Sequence, residues 1–387
     1  MARNMPRYVK GLTRVIRHSL SPSSMAAASS SRVWCKPFSS STLSDVGILG
    51  VPINKGQDKD GVVYGPTVIR DAGLVNQIQG LGRTVVDHGD LVFPAQDNET
   101  ETVNCVKNAA FLGKALKKIS DGVEKITRAD QLCVTLGGDH GITIGSLHGH
   151  TRSRPDLCVL WIDAHADINV PQTSPSMHIH GMVLSFVCHE LRHYIPRLPN
   201  FEWLDTCISC QDIAYIGLRD LDSGERHIIE KYGINIFSIH DVQKYGISEV
   251  FARAMERINP KGTRPVHLSF DIDSMDPGVT ASTGTPVLGG LTYREGIYIA
   301  EEIAETGLLS SMDLVEVNPQ LGSQSQQEST INAAVDVILA ALGKRKQGNC
   351  PADFEIPIPW KEEDRLEAKA ASLAERERLR RETNVRG

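Results

Sequence analysis

Short runs of β-branched and apolar residues alternate with segments of helical periodicity between residues 46 and 342. Strands that alternate with helices form βαβ units, and the parallel sheet they build is covered by helices on both faces. The sequence therefore predicts an α/β fold around a parallel sheet. The predicted strands span residues 46–53, 83–91, 132–138, 157–165, 213–220, 234–239, 266–273 and 308–317, and the clearest predicted helices span residues 105–118, 241–258, 293–305 and 328–342.

The chain has the composition of a globular protein, with 41% hydrophobic and 23% charged residues. No linker rich in Pro, Gly or Ser interrupts the alternating pattern, so residues 45–345 are predicted to form one domain. No apolar stretch approaches the roughly 20 residues that span a bilayer. The C-terminal extension, residues 346–387, mixes charges with few apolar residues after Trp360, which predicts a solvated helix or a disordered tail rather than an interaction segment.

Residues 1–44 contain no Asp or Glu but carry seven basic residues among many serines. Apolar residues fall at helical spacing between the bases, which is typical of a mitochondrial transit peptide and predicts a location in the matrix. A secretory signal fits worse, because no uninterrupted apolar core follows the charges; a disordered basic tail is the alternative. The remaining chain has a net charge near −13, which argues against nucleic acid or anionic membranes as partners.

Eight cysteines are scattered through the chain without a repeated spacing. This usage fits a reducing compartment and buried thiols better than a disulfide framework. Cys207 and Cys210 form an isolated CxxC motif, and a zinc site needs a second pair of ligands at suitable spacing, which the sequence lacks. We therefore expect these two cysteines to be structural.

Three of the predicted strands end in carboxylate or imidazole side chains where an apolar strand would simply stop. The carboxyl ends of parallel strands face one crevice, so groups far apart in sequence can converge there. Residues two apart on a strand also point to the same side. The side chains predicted to share this crevice are His140, Asp163, His165, Asp167, Asp271 and Asp273.

Four carboxylates in one partly dry crevice would repel one another and lose hydration, at a cost on the order of several kcal/mol per unpaired ion. No cluster of Lys or Arg accompanies these motifs, whereas two divalent cations would balance the charge. A donor set of oxygens with two imidazoles and no thiolate suits manganese before zinc or copper. Each motif alone also fits a turn or a cap, but together they predict two metal ions about 3.5 Å apart with a shared water.

The motifs resemble those of the ureohydrolases, and within them the arginases, over residues 46–342. The resemblance implies a three-layer αβα sandwich with a central eight-stranded parallel sheet. It also implies that the six residues named above hold two Mn²⁺ ions, and that residues 45–345 are a catalytic domain. The motifs that carry it are GGDH, DAHADIN, GLRDLDSGE, SFDIDSMDP, STGTPVLGGLTYREG and MDLVEVNP.

The resemblance further implies hydrolysis of a guanidinium group by a hydroxide that bridges the metals, because bound water is acidified toward neutrality. Asp167 would then ligate metal and orient the hydroxide. Glu316 matches the family carboxylate that pairs with the guanidinium in a forked contact. His180 matches the histidine credited with proton transfer, and Thr285 resembles a residue close to the bridging site.

Substrate choice is implied by three further matches. In arginases an Asn and a Ser contact the α-carboxylate and an Asp reaches the α-amino group, and Asn169, Ser176 and Asp222 stand at those positions. This set favours L-arginine, converted to L-ornithine and urea, over decarboxylated agmatine. Arg294 and Glu295 match the pair at arginase subunit contacts, which implies a homotrimer, although a salt-bridge pair at the start of a helix explains them equally well.

One segment departs from the family pattern. Where arginases read Ser-Gly-Asn-x-His-Gly, this chain has Met177 for the glycine and His178 for the amide. Methionine lacks the backbone freedom of glycine, and imidazole is bulkier than an amide. We therefore predict a shifted preference among guanidino acids or a weaker Michaelis constant, unless His178 is a rim residue that touches only water.

Two other functions remain open at this point. The first is a ureohydrolase acting on agmatine or another guanidino acid. The second is a non-catalytic oligomer that uses the metals for stability or binds guanidino ligands, although such a scaffold has no need of His180 and Glu316. A histone-deacetylase-like hydrolase would not need the second metal position.

Overall fold

The computed structural model describes residues 45–93, 101–349 and 362–384. The predicted transit peptide, residues 1–44, lies outside the described residues, as do parts of the C-terminal extension. A helix spans Glu362–Asn384 in that extension, and its side chains at positions 366–376 are exposed. None of the helices in the described ranges combines the length and the apolar character needed to cross a membrane.

Ten strands are present in the described residues, and eight of them form one sheet in which all neighbours are parallel. The strands are β1 (Val46–Val51), β2 (Val85–Asp90), β3 (Thr102–Val103), β4 (Val106–Lys107), β5 (Leu132–Gly137), β6 (Cys158–Ile162), β7 (Ile213–Ile216), β8 (Asn235–Phe237), β9 (Val266–Asp271) and β10 (Leu309–Val315). The order across the sheet is β2-β1-β5-β10-β9-β6-β7-β8, and β3 pairs with β4 in a separate antiparallel hairpin. The predicted parallel sheet is therefore confirmed.

Helices cover both faces of the sheet. They are α1 (Gly65–Asp71), α2 (Leu74–Gly80), α3 (Ala109–Arg128), α4 (Thr143–Ser153), α5 (Val183–Val187), α6 (Ser223–Tyr232), α7 (Ile239–Tyr245), α8 (Ile247–Ile258), α9 (Tyr293–Thr306), α10 (Gln324–Ala341) and α11 (Glu362–Asn384). Alternate residues along a strand enter two separate cores: Ile48 of β1 belongs to the core that includes residues of α1, α2 and α7–α10, and Leu49 to the core that includes residues of α3–α6. This is the predicted three-layer αβα sandwich.

Two predicted helices differ from the observed ones for local reasons. The helix predicted over residues 105–118 starts at Ala109 and continues to Arg128, because Asn104 and Cys105 adopt φ values of 49° and 62° and turn the chain into the β3–β4 hairpin. The helix predicted over residues 241–258 is divided into α7 and α8 at Gly246, whose φ of 78° suits glycine.

The predicted strands also end earlier than expected where polar residues begin. The strand predicted over residues 157–165 stops at Ile162, and the one predicted over residues 266–273 stops at Asp271. Because all eight strands of the sheet run in the same direction, the loops after β5, β6, β9 and β10 leave from one edge. The residues predicted to form the site lie at this edge.

Cys207 and Cys210 are free thiols. Cys210 is buried and Cys207 is partly buried, and burial raises the pKa of Cys207 to about 12. Cys207 is therefore a protonated thiol near neutral pH, which suits a packing role better than metal ligation.

Candidate active site

Three strand ends meet around His140. This histidine follows β5, and its Nδ1 lies 3.1 Å from Oδ2 of Asp163, which follows β6. Oδ2 of Asp167 and Oδ2 of Asp271, at the end of β9, each lie 3.0 Å from the same nitrogen. All four side chains are buried. The structure thus brings together residues separated by more than a hundred positions in sequence.

A second group of donors lies beside the first. Nδ1 of His165 is 3.2 Å from Oδ2 of Asp273 and 3.5 Å from Oδ1 of Asp163. The ligand atoms of Asp163, His165 and Asp273 all lie within 4.8 Å of one another, as do those of His140, Asp163 and Asp167. Asp163 belongs to both groups. All six predicted ligands are therefore arranged as two adjoining sets that share a carboxylate, the arrangement that a pair of metal ions needs.

The chemistry of the donors fits divalent cations. Nε2 of His140 lies 2.8 Å from Oγ of Ser269, while its buried Nδ1 has no hydrogen-bond partner and faces three carboxylate oxygens. Three carboxylate oxygens repel one another unless a positive charge, either a proton on this imidazole or a metal ion, lies among them. Two imidazoles and four carboxylates form a hard donor set, which suits Mn²⁺ and related ions.

Burial makes the charge of this cluster costly without such cations. Burial and the neighbouring Asp273 raise the pKa of Asp271 well above its usual value. Burial and the charge of Asp163 likewise raise the pKa of Asp273. Burial opposes ionisation of Asp163 as well, but its contacts with His140 and His165 lower its pKa. Bound divalent cations would keep all these carboxylates ionised.

Local hydrogen bonds orient the ligands. Oδ1 of Asp163 accepts the backbone N–H of His165 at 2.8 Å, and Oδ1 of Asp271 accepts that of Asp273 at 2.8 Å. The DxH spacing of Asp163 and His165, and the DxD spacing of Asp271 and Asp273, each place this hydrogen bond at a turn just after the strand. Asp167 has a φ of 50°, a left-handed conformation that costs on the order of 1–3 kcal/mol and is found at functional sites.

Two residues that lie next to the ligands were not predicted from the sequence. The indole of Trp161 stacks on His140, with ring centroids 4.3 Å apart and planes 10° apart, and its Nε1 donates to Oδ2 of Asp163 at 3.0 Å. Ser269 holds the far side of the His140 ring. Each lies on a strand two residues before a ligand and therefore points to the same face as that ligand. A polar group on this face of an otherwise apolar strand is the sequence signal that could have identified them.

Glu316 lies against the metal-ligand cluster. Its Oε1 accepts the backbone N–H of His140 at 2.8 Å and lies 3.6 Å from Nδ1 of His180. Glu316 is buried and has a φ of 64°. Burial lowers the pKa of His180, but Glu316 outweighs burial and raises it to about 9. His180 is therefore partly exposed and protonated near neutral pH beside Glu316.

Four residues are predicted to read the rest of the substrate, and of these Asn169 is buried and Asp222 is exposed. Nδ2 of Asn169 donates to Oδ2 of Asp222 at 2.8 Å, so these two residues are directly paired. Thr285 is exposed and donates to Oδ2 of Asp273 at 3.0 Å. Ser176 is also exposed, and its Oγ accepts the backbone N–H of His178 at 3.2 Å.

The departure at Met177 and His178 has a structural counterpart in the β3–β4 hairpin. Met177 keeps a φ of 60°, the conformation that a glycine adopts easily, and its carbonyl accepts the backbone N–H of Lys107 at 3.0 Å. Nε2 of His178 lies 3.4 Å from Nζ of Lys107, and His178 is only 9% exposed. The reading of His178 as a rim residue that touches only water is therefore wrong.

Arg219 in the GLRD motif is a cation near the cluster that sequence reasoning missed. Its guanidinium donates to the carbonyl oxygens of Asp273 at 2.7 Å, Ser274 at 3.0 Å and Val287 at 2.8 Å. It therefore ties the loop after β9 to the loop that carries Thr285.

At the start of α9, Oε2 of Glu295 accepts the backbone N–H of Thr292 at 2.8 Å and caps the helix.

Comparison with known proteins supports this arrangement. Residues 44–343 match the model of the arginase family. The chain is 46% identical over 315 residues to mitochondrial arginase-2 of Homo sapiens, covering 81% of this chain and 89% of that protein. It is 45% identical over 321 residues to hepatic arginase of Aquarana catesbeiana, covering 83% and 99%. The solved structure of arginase from Bacillus caldovelox is similar, with a TM-score of 0.70, 33% identity, and coverage of 78% and 99%.

The parallel sheet, with two adjoining sets of carboxylate and imidazole donors at its carboxyl edge, defines a hydrolase with a binuclear metal centre. The family match covers well over half of the chain, and the relatives agree over nearly their full lengths. The chain belongs to the arginase family.

Proposed function

We propose that this protein hydrolyses L-arginine to L-ornithine and urea. The observation that carries the proposal is the buried carboxylate of Glu316, which lies between the backbone of His140 and the imidazole of His180. A carboxylate beside a metal-ligand cluster is suited to pair with a planar cation such as guanidinium. Relatives that are 45–46% identical and named arginases support the same reaction.

Two Mn²⁺ ions are the proposed cofactors. His140, Asp163, Asp167 and Asp271 would hold one position, and Asp163, His165 and Asp273 the other, with Asp163 shared. When bound, the two ions supply a water of lowered pKa and stabilise the negative charge that develops on the reacting centre. The mixture of oxygen and nitrogen donors without thiolate favours manganese.

The protein's own groups then have separate tasks. Glu316 binds the guanidinium and fixes its carbon above the ligand cluster. Asp167, in its left-handed backbone conformation, orients the attacking water with its carboxylate. His180, whose pKa Glu316 raises to about 9, carries a proton near neutral pH that it donates to the departing amine.

The other end of the substrate is proposed to bind at the mouth of the site. Asn169 and Ser176 would contact the α-carboxylate, and Asp222 the α-amino group. The direct bond between Asn169 and Asp222 supports this division, because the pair presents an amide and a carboxylate side by side. Thr285, bonded to Asp273, would lie beside the residues that hold the second metal position. Agmatine lacks the carboxylate and would forfeit the contacts to Asn169 and Ser176.

Urea release by manganese-loaded protein from L-arginine, agmatine and a panel of guanidino acids tests the proposal. We expect turnover of arginine to exceed that of agmatine by at least about tenfold, and to disappear on chelation. Preferred turnover of agmatine would favour the alternative ureohydrolase. Binding of arginine without urea from fully loaded protein would favour the non-catalytic oligomer and contradict the proposal.

Three further assignments belong to this proposal. Residues 45–345 are the catalytic domain, the protein is a homotrimer with Arg294 and Glu295 at the subunit contact, and residues 1–44 direct it to the mitochondrial matrix. The last is supported by similarity to a relative named mitochondrial, and import of a fusion carrying residues 1–44 tests it. The molecular mass in solution, compared with that of Arg294→Ala, tests the trimer.

A further inference from the structure

Asp313 is a fully buried carboxylate on β10 that takes no part in the proposed ligand sets. It accepts hydrogen bonds from the hydroxyl of Thr143 at 3.0 Å, from the hydroxyl of Ser146 and from Nε2 of His267 at 3.0 Å. Within the described ranges, no Lys or Arg forms an ion pair with it. Its ion-pair partner is the imidazole of His267, and burying such a pair costs on the order of several kcal/mol per ion in lost hydration, so its presence calls for a reason.

The carboxylate is part of a buried polar network. Nδ1 of His267 lies 3.1 Å from Nδ1 of His150, and Nε2 of His150 lies 2.7 Å from Oγ of Ser310. Burial raises the pKa of Asp313, but the charge of His267 outweighs burial and lowers it, so the carboxylate is ionised. The network joins α4 to strands β9 and β10 within the core.

Each hydrogen-bond partner of Asp313 lies near in sequence either to His140 or to Ser269, which contacts the His140 ring. Thr143 and Ser146 lie in the first turn of α4, which begins three residues after His140. His267 lies on β9 two residues before Ser269, on the same face, and Ser269 holds Nε2 of His140. Asp313 therefore fixes both the segment that carries His140 and the strand residue that orients its ring.

We propose that Asp313 is a positioning residue for His140, and thus for only one of the two metal positions. Within the described residues no hydrogen bond joins Asp313 to Asp163, His165 or Asp273, and Asp273 is held instead by Arg219 through its carbonyl and by Thr285 through its carboxylate. This inference rests on the proposed metal centre but not on the identity of the substrate.

Manganese titration of metal-stripped full-length protein, followed by electron paramagnetic resonance, tests the inference without using activity. We expect the wild type to bind two Mn²⁺ per chain and to show the signal of a coupled pair. In Asp313→Asn the affinity of one position falls about tenfold, the lower end for residues that support metal ligands, and the other is unchanged. When one Mn²⁺ is added per metal position, the signal of the coupled pair is then lost.

Two reference variants identify which position is affected. His140→Asn removes a ligand of the first position and His165→Asn a ligand of the second. Asp313→Asn should reproduce the pattern of His140→Asn, and adding Asp313→Asn to His140→Asn should cause no further loss of manganese affinity. A pattern that matches His165→Asn, or additive losses in the double variant, overturns the inference.

Asn259→Ala is the control for a merely structural role. Asn259 is buried and bonded to the carbonyl of Arg264 and to backbone N–H groups of Thr263 and Arg264, so its loss should lower the unfolding temperature without changing manganese affinity. If Asp313→Asn does not fold, Thr143→Val removes one bond to Asp313 at nearly constant volume and should give a smaller loss at the same position. The inference is overturned if the folded variants keep the wild-type manganese affinity at both positions, or lose it equally at both. A wild type that binds fewer than two ions overturns the metal centre itself.

Discussion

The backbone N–H of His140 donates to Oε1 of Glu316 across 2.8 Å, which joins a proposed metal ligand to the carboxylate proposed to bind guanidinium. The two residues follow β5 and β10, which are neighbours in the sheet. A change in the position of either strand therefore moves metal and substrate sites together. Glu316 adopts a left-handed backbone conformation at this junction, as is common at functional sites.

Replacing Glu316 by Gln should separate its charge from its structural role. The amide oxygen still accepts the N–H of His140, but the charge that pairs with guanidinium is lost. We expect kcat/KM for arginine to fall by about 100-fold, corresponding to a charged hydrogen-bonded pair of about 3 kcal/mol. Steady-state urea release measures it, and the manganese content of the variant should stay at the wild-type value. An unchanged kcat/KM would exclude Glu316 from guanidinium binding.

Asp222→Asn should weaken the binding of substrates that carry an α-amino group. Asp222 is exposed, begins α6 as its N-cap and pairs with Asn169, and Asn keeps the cap while removing the charge. For Asp222→Asn we expect KM for arginine to rise about tenfold through loss of a charge-assisted bond to the α-amino group. KM for a guanidino acid that lacks the α-amino group should change less than about twofold. Equal losses for arginine and for that guanidino acid would contradict the proposed contact.

Restoring the family string tests the departure at Met177 and His178. The variant Met177→Gly/His178→Asn removes a left-handed methionine and returns an amide to the segment that follows Ser176. We expect KM for arginine to fall about threefold, equivalent to roughly 0.7 kcal/mol. The reason is that substrate binding no longer has to offset the strain of a methionine in the left-handed conformation. His178→Asn alone is the matched control that separates the side chain from the backbone. A higher KM in the double variant would show that this chain depends on its own residues here.

The imidazole of His178 should make stability depend on pH. Burial and the nearby Lys107 lower the pKa of His178 to about 4, below its unfolded value of about 6.5. The unfolded chain therefore binds the proton more readily, so stability is lost as pH falls from about 6.5 toward 4. In chelator-treated protein, urea unfolding at pH 7 and pH 5 should show a loss of about 1 kcal/mol that His178→Asn reduces. An equal loss in both proteins would place His178 in solvent.

The strands could be predicted because their signal is local. A run such as that of β6 is apolar wherever it lies in the sheet, and the polar residues that follow it belong to a carboxyl end under any strand order. The convergence of His140 with Asp163 and Asp271 therefore followed from parallel direction alone. The order of the strands did not, because the insertion of β10 between β5 and β9 is decided by packing between segments far apart in sequence.

The parts of the site that were not predicted depend on the same long-range packing. The bond of Arg219 to the loop after β9 joins positions more than fifty residues apart. The contact between His178 and Lys107 depends on a two-residue-strand hairpin, too short for a periodic signal. His267 and Ser269 did leave a signal, since polar residues alternate with apolar ones in a strand buried on both faces.

The strand that completes the sheet is the last to be synthesised. Among the described strands, β2, β1 and β5 on one side and β9, β6, β7 and β8 on the other are joined only through β10. His140 follows a strand of one half, and Asp163 and Asp271 belong to strands of the other, so all six proposed ligands precede in sequence the strand that pairs with both halves. The pairing of β10 with both β5 and β9 therefore closes the edge along which the two proposed metal positions lie.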